Sequence, residues 1–105
     1  MIEVQDKYIE LTKKIILGLI DLDTTTVFLF GSRADNTNTS TSDLDIGFLG
    51  SSKIDDLLFA RIRDELDDSI VPYHFDLIDF YNIDATFKNI AMEKIVLWNK
   101  SKNFN

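Results

Sequence analysis

The sequence predicts an α/β (α+β) fold: a sandwich with a small mixed sheet of at least three strands flanked by helices. Three observations carry that expectation. Stretches with apolar residues at three- and four-residue spacing alternate with short β-branched and aromatic runs. The run Thr25–Phe30 is apolar almost throughout, as in a central strand covered on both faces. Gly31, Gly50 and Pro72 fall at the breaks between runs. The resulting order is helix, strand, turn-helix, strand, helix, strand, helix, in one domain over residues 1–105.

Residues 4–20 read as an amphipathic helix, with Tyr8, Leu11, Ile15, Ile16 and Leu19 on one stripe and Lys13 and Lys14 outward. Gly18 weakens its end, and residues 21–24 turn the chain into the strand Thr25–Phe30. At the Gly31-Ser32 break, Gly31 permits close backbone approach or a positive φ, and Ser32 is placed to cap a short helix. Residues 36–41 form a polar Asn/Thr/Ser spacer, a surface loop that can order when a ligand or partner arrives; Asn36 tolerates a left-handed conformation.

A second strand follows over residues 43–49 and ends at Gly50-Ser51-Ser52. Ser52 with Asp55 resembles a capping box. Ile54, Leu57, Leu58, Ile62 and Leu66 then make a helical stripe to about residue 68, with Arg61, Arg63, Asp64 and Glu65 on the solvated face. Val71-Pro72 leads into a third strand over 73–80, and a last helix covers roughly 85–93. Residues 95–98 either continue that helix or form a short edge strand, and 99–105 read as a frayed tail.

Composition narrows the chemistry. Apolar residues make up 45% of the 105, enough for a packed core rather than disorder. With no cysteine there is no disulfide and no thiolate metal site, so a bound metal would be hard and oxygen-ligated. No apolar run is long enough to be a membrane span or signal peptide, which makes the cytoplasm the default location. The net charge of −7 does not suit direct binding to nucleic acid and suits a protein partner, especially a basic one.

The residues with the most chemical content are Asp43 and Asp45. At i and i+2 on a strand their carboxylates stand on one side, and such a pair repels unless a cation neutralises it. Mg²⁺ takes carboxylate oxygens together with waters or phosphate oxygens. Asp76 is a third ionisable residue, set between Phe75 and Leu77 in an otherwise apolar strand, where a charge is costly unless paired or metal-bound. Its rival Asp79 has the opposite strand parity and lies near the strand end; His74 shares the parity of Asp76.

Gly31-Ser32, a ten-residue spacer and Asp43-Leu44-Asp45 together resemble the signature of the nucleotidyltransferase superfamily with the DNA polymerase β-type core. The wording GSRA and SDLDI, in so short a chain, is most similar to the minimal nucleotidyltransferases (MNT), antitoxin partners of HEPN-domain toxins. The resemblance runs from about Thr25 to Trp98. It implies the nucleotidyltransferase fold, with Asp43, Asp45 and Asp76 as catalytic carboxylates holding two Mg²⁺ ions and with ATP as substrate. It implies Gly31, Ser32, Arg33 and Ser42 as nucleotide-binding residues. A hydrophobic residue, Asp, then two hydrophobics about thirty positions after the acidic pair is the family pattern that supports Asp76. The implied reaction transfers AMP to a tyrosine of a HEPN toxin in a hetero-oligomer. Binding alone, or transfer to a small molecule, are the other readings. Asp35-Asn36 stands where many relatives carry Arg-Gly, which removes a positive charge from the phosphate side.

Overall fold

The computed structural model describes residues 6–102 and 104. They group into two units, one drawn from residues 1–20 and 55–72, the other from 21–54 and 73–105.

The first unit contains two helices. Helix α1, Lys7–Leu17, starts at Asp6, whose carboxylate accepts from the backbone N–H of Tyr8 at 2.9 Å and of Ile9 at 3.3 Å. The expected start, residue 4, lies outside the described residues. The expected end, residue 20, is three residues late, because Gly18 terminates the helix as its C-cap. Ile16 is fully buried, as is Thr12, whose hydroxyl is satisfied by the Tyr8 carbonyl at 2.8 Å. Helix α2, Asp56–Asp67, is capped by Asp55, which accepts from the N–H of Leu57 and Leu58. Ser52 is therefore not the cap. The helix buries Ile62 and Leu66, but Leu57 in its first turn is 81% exposed and leaves the expected stripe. Arg61, Arg63, Asp64 and Glu65 form the solvated face, with an Arg61–Glu65 ion pair at 3.0 Å.

The second unit is a four-stranded sheet in the order β3-β2-β1-β4, with one helix. Strand β1, Thr25–Phe30, has the expected bounds and is interior: it pairs antiparallel with β2, Leu44–Gly50, and with β4, Val96–Leu97. Strand β3, Phe75–Asp79, runs parallel to β2 and occupies the outer edge. It is shorter than the expected 73–80, while helix α3, Ala85–Ala91, stops two residues before the expected 93. The short-edge-strand alternative for 95–98 is the one observed.

Alternation sorts the side chains. Phe28 and Phe30 of β1 meet Phe80, just beyond β3, in a buried aromatic cluster with ring centroids 5.0 to 6.1 Å apart. Ile78, Ala91 and Met92 pack against it. Gly47 faces Phe28 across the β1–β2 pair, and a Cβ there would run into the Phe28 ring. The cluster thus requires glycine at the middle of β2.

Of the residues 99–105 expected to fray, Asn99, Ser101 and Lys102 are bonded to β1 and the turn before it, while 103 and 105 lie outside the described residues. The Asn99 side chain accepts from Val27 N–H at 2.7 Å and donates to Thr25 C=O at 2.8 Å. The Ser101 and Thr26 hydroxyls, both buried, bond at 2.7 Å, and Lys102 N–H donates to Asp23 C=O at 3.1 Å. Polar side chains here complete the hydrogen bonding of β1 past the two residues of β4.

Candidate active site

The acidic residues gather where β1, β2 and β3 meet the loops at one end of the sheet. Asp45, the second residue of β2, is the register partner of Phe30 on one side and of Asp76 on the other. Register partners in neighbouring strands project to the same face, about 4.8 Å apart. Asp45 and Asp76 therefore form a row with Phe30, at the end of the aromatic cluster. Asp43 lies one residue before β2, and its charge acts on Asp45.

The environment divides the three carboxylates. Asp45 is half-buried, whereas Asp43 and Asp76 are exposed. Desolvation raises the pKa of Asp45 above its ordinary 3.8, and the charges of Asp76 and then Asp43 push it further. The expectation that Asp76 would carry the burial cost is corrected: β3 is an edge strand, water reaches Asp76, and the cost falls on Asp45.

Asp79, the rival of Asp76, is fully employed elsewhere. Its carboxylate accepts from Ile54 N–H at 2.9 Å and from Tyr81 N–H at 3.0 Å, tying the end of β3 to the segment before α2 and to the next turn. His74 lies just before β3, its Nδ1 3.6 Å from Asp43, and its carbonyl accepts from Leu44 N–H at 2.9 Å.

Gly31 opens a single 3₁₀ turn, Gly31–Arg33, with φ +73°. A Cβ at this position would collide with the Asp45 carboxylate, so only glycine lets the turn approach the acidic row. Ser32 lies inside the turn; Phe30 is its N-cap, and no side chain caps it. The helix-capping role expected of Ser32 is not observed, since the strand runs directly into the turn. The loop that follows is exposed but internally bonded. Asn36 has φ +65°, Asp35 accepts from the Thr37 N–H and hydroxyl, and the Ser42 hydroxyl accepts from Thr39 N–H at 2.9 Å. These Asp35 hydrogen bonds lower its pKa. The Arg33 Nε and Nη2 donate to Ser42 C=O at 3.2 and 3.0 Å, and the guanidinium stacks 4.1 Å from the ring centroid of Tyr73, a residue that no sequence pattern singled out.

Whether a metal fits is a question of donors. Among the described residues no three Asp, Glu, His or Cys side chains converge tightly enough to hold an ion as they stand. The donor set at the acidic row is nonetheless all carboxylate, and the charges of Asp76 and Asp43 add to desolvation in raising the pKa of Asp45. A hard divalent cation relieves that repulsion. An open cleft of about 470 Å³ borders the same turn, lined by Phe30, Gly31, Asp35, Phe87, Ile90 and Lys94 among others. Among the described residues no helix is long and apolar enough to cross a membrane.

The family model described as polymerase beta, nucleotidyltransferase, matches residues 10–103. Over 72 residues the chain is 29% identical to a Haemophilus influenzae protein described as a probable protein adenylyltransferase, MntA. That match covers 69% of this chain and 63% of MntA, so the chain spans less than two thirds of that relative's length. In fold it resembles a toxin–antitoxin crystal structure with AMP-PNP, at TM-score 0.69 and 18% identity, covering 94% of this chain and 76% of that one. It also resembles a chain of the complex of tri-AMPylated Shewanella oneidensis HEPN toxin with MNT antitoxin, at TM-score 0.58 and 18% identity, over 85% and 70% of the two chains.

Proposed function

The chain belongs to the polymerase beta nucleotidyltransferase family, and from that membership we propose that it transfers AMP from ATP to a tyrosine of a HEPN-type toxin, acting as the antitoxin of the pair. The observation that carries this reading is the Asp45–Asp76 row lying against the Gly31 turn. The adenylyltransferase name of the Haemophilus relative and the AMPylated toxin seen beside a similar fold support the choice of nucleotide and acceptor.

In this reading Asp43, Asp45 and Asp76 hold Mg²⁺, which on binding would polarise phosphate oxygens and lower the pKa of the attacking hydroxyl. The residues of this chain supply position and charge. Gly31 and Ser32 would offer backbone N–H groups to the triphosphate, and the absence of a Cβ at Gly31 lets their turn lie against the Asp45 carboxylate. The Ser42 hydroxyl holds the adjoining loop. Asp45, poised high by desolvation and like charge, gains most from a cation, so metal-free protein carries stored repulsion that binding relieves.

The test is direct. The chain, purified with its encoded HEPN neighbour, is incubated with α-labelled ATP and Mg²⁺, and peptide mapping locates the label. The expected result is Mg²⁺-dependent label on a partner tyrosine, lost in Asp45→Asn. If the partner stays unlabelled while Asp45→Asn still neutralises it, inhibition by binding alone replaces this reading.

A further inference from the structure

We propose that Arg33 is a positioning residue, a strut that fixes Asp43 against the Gly31 turn through Ser42 and Tyr73, rather than a ligand of the nucleotide. The proposal rests on the transfer reading of the same site, but its geometry stands on its own.

Asp43 has a structural problem. The β2 ladder begins at Leu44, so strand pairing does not hold Asp43, and a thirteen-residue connection of polar residues leads up to β2 from Phe30. The Arg33 side chain meets that need. Its Nε and Nη2 both donate to the Ser42 carbonyl, at 3.2 and 3.0 Å. The peptide plane that contains this oxygen also contains the Asp43 nitrogen, so holding the oxygen fixes the direction in which Asp43 leaves the loop. The guanidinium face lies 4.1 Å from the centroid of the Tyr73 ring, which stands just before His74 and β3. Leu44 N–H to His74 C=O, at 2.9 Å, joins the two strand starts beneath it. One side chain thus spans the turn of Gly31, the approach to Asp43 and the approach to Asp76.

Only a guanidinium does this. Its donors lie in a plane whose edge grips the carbonyl, while the face remains for stacking on an aromatic ring. A lysine ammonium keeps the charge but cannot present edge and face together. The substitution Arg33→Lys therefore separates a strut, which it breaks, from a phosphate contact, which it preserves in part.

Two measurements test the proposal on folded variants of the full chain, checked by circular dichroism. The first is hydrogen exchange of the Ser42 and Leu44 amides in the protein without metal or nucleotide; these donate to Thr39 C=O and His74 C=O. The second is kcat and KM for ATP of the complex with its partner. Arg33→Lys and Tyr73→Leu are each expected to speed both exchanges about tenfold. They are expected to lower kcat about tenfold or more, with KM for ATP held within about twofold. Tyr73→Phe, which keeps the ring face, is expected to restore what Tyr73→Leu loses. Wild-type exchange in Arg33→Lys overturns the strut, and a raised KM in Arg33→Met that Arg33→Lys rescues overturns it in favour of a nucleotide ligand. If the wild-type complex transfers nothing, the transfer reading fails, and the exchange rates alone decide the strut.

Discussion

Asp45 and Asp76 are register partners across the parallel β2–β3 pair, and the half-buried member is Asp45. The exposed partner sits on the edge strand and loses little hydration. Two like charges on one face therefore weigh unequally on the fold, and the difference can be measured.

Asp45→Asn should stabilise the metal-free protein at neutral pH while abolishing transfer. The folded-state pKa of Asp45 is raised above its ordinary 3.8 by desolvation first, then by Asp76 and Asp43. Below 3.8 the carboxyl is protonated in folded and unfolded chains alike, and no penalty exists. As pH rises through the raised folded value, the unfolded chain has already released its proton, the folded chain holds more, and stability falls. The melting temperature of Asp45→Asn should exceed that of wild type at pH 7, with the gap closing as pH falls towards 3.8. A gap that persists unchanged at low pH counts against the electrostatic origin.

Asp76→Ala and Asp79→Ala should fail in opposite ways. Asp76 is exposed, and its loss should hold or slightly raise the melting temperature of the metal-free protein, because one charge facing Asp45 is gone, while removing nearly all transfer. Asp79 holds two backbone N–H groups, and Asp79→Ala should cost about 1–3 kcal/mol in urea unfolding. Activity per folded molecule should largely survive. An active Asp76→Ala beside a dead but folded Asp79→Ala would require the site to be redrawn.

Gly31→Ala should damage both stability and chemistry. At φ +73° a Cβ costs about 1–2 kcal/mol in backbone strain alone, and here it also meets the Asp45 carboxylate. The variant should melt below wild type and lose transfer. Asp45→Asn in the Gly31→Ala background should recover no more than the electrostatic gain that it brings to wild type, because the collision is steric.

Asn99→Ala should destabilise the sheet by about 1–3 kcal/mol, since it strips Val27 N–H and Thr25 C=O of their partners on a strand that is buried from Thr26 onwards. Chemical denaturation with unchanged slope is the measure. A neutral result would mean that water replaces the amide there.

Much of this was legible in the residues. The bounds of β1 were readable because β-branched and large apolar residues run unbroken from Thr25 until a glycine that takes positive φ. The Asp43, Asp45 and Gly31 cluster was visible because the spacing of its parts is unusual. The order of strands was not: an alternation pattern states which residues share a face, not which strand lies alongside or in which direction. For that reason the edge position of β3 was not legible, and the burial cost expected of Asp76 from its apolar neighbours was misplaced. Asn99 and Ser101 were missed for a related reason. Polar residues without periodicity look like a loose tail until a specific backbone group claims them.

The Thr26–Ser101 bond joins residues 75 positions apart, which has a consequence for biosynthesis. While the chain is being translated, β1 can pair with β2 as soon as the intervening loop has emerged. Its other side must wait for Trp98, Asn99 and Ser101, which supply the remaining partners of Val27 and Thr26. Through that interval an apolar edge containing Val27, Phe28 and Leu29 lies unpaired, the kind of surface that nascent chains aggregate through and chaperones bind. The moment at which this edge of the nascent sheet becomes safe in the cell is set by the arrival of residues 96–101, after the strands that carry the acidic row have been made.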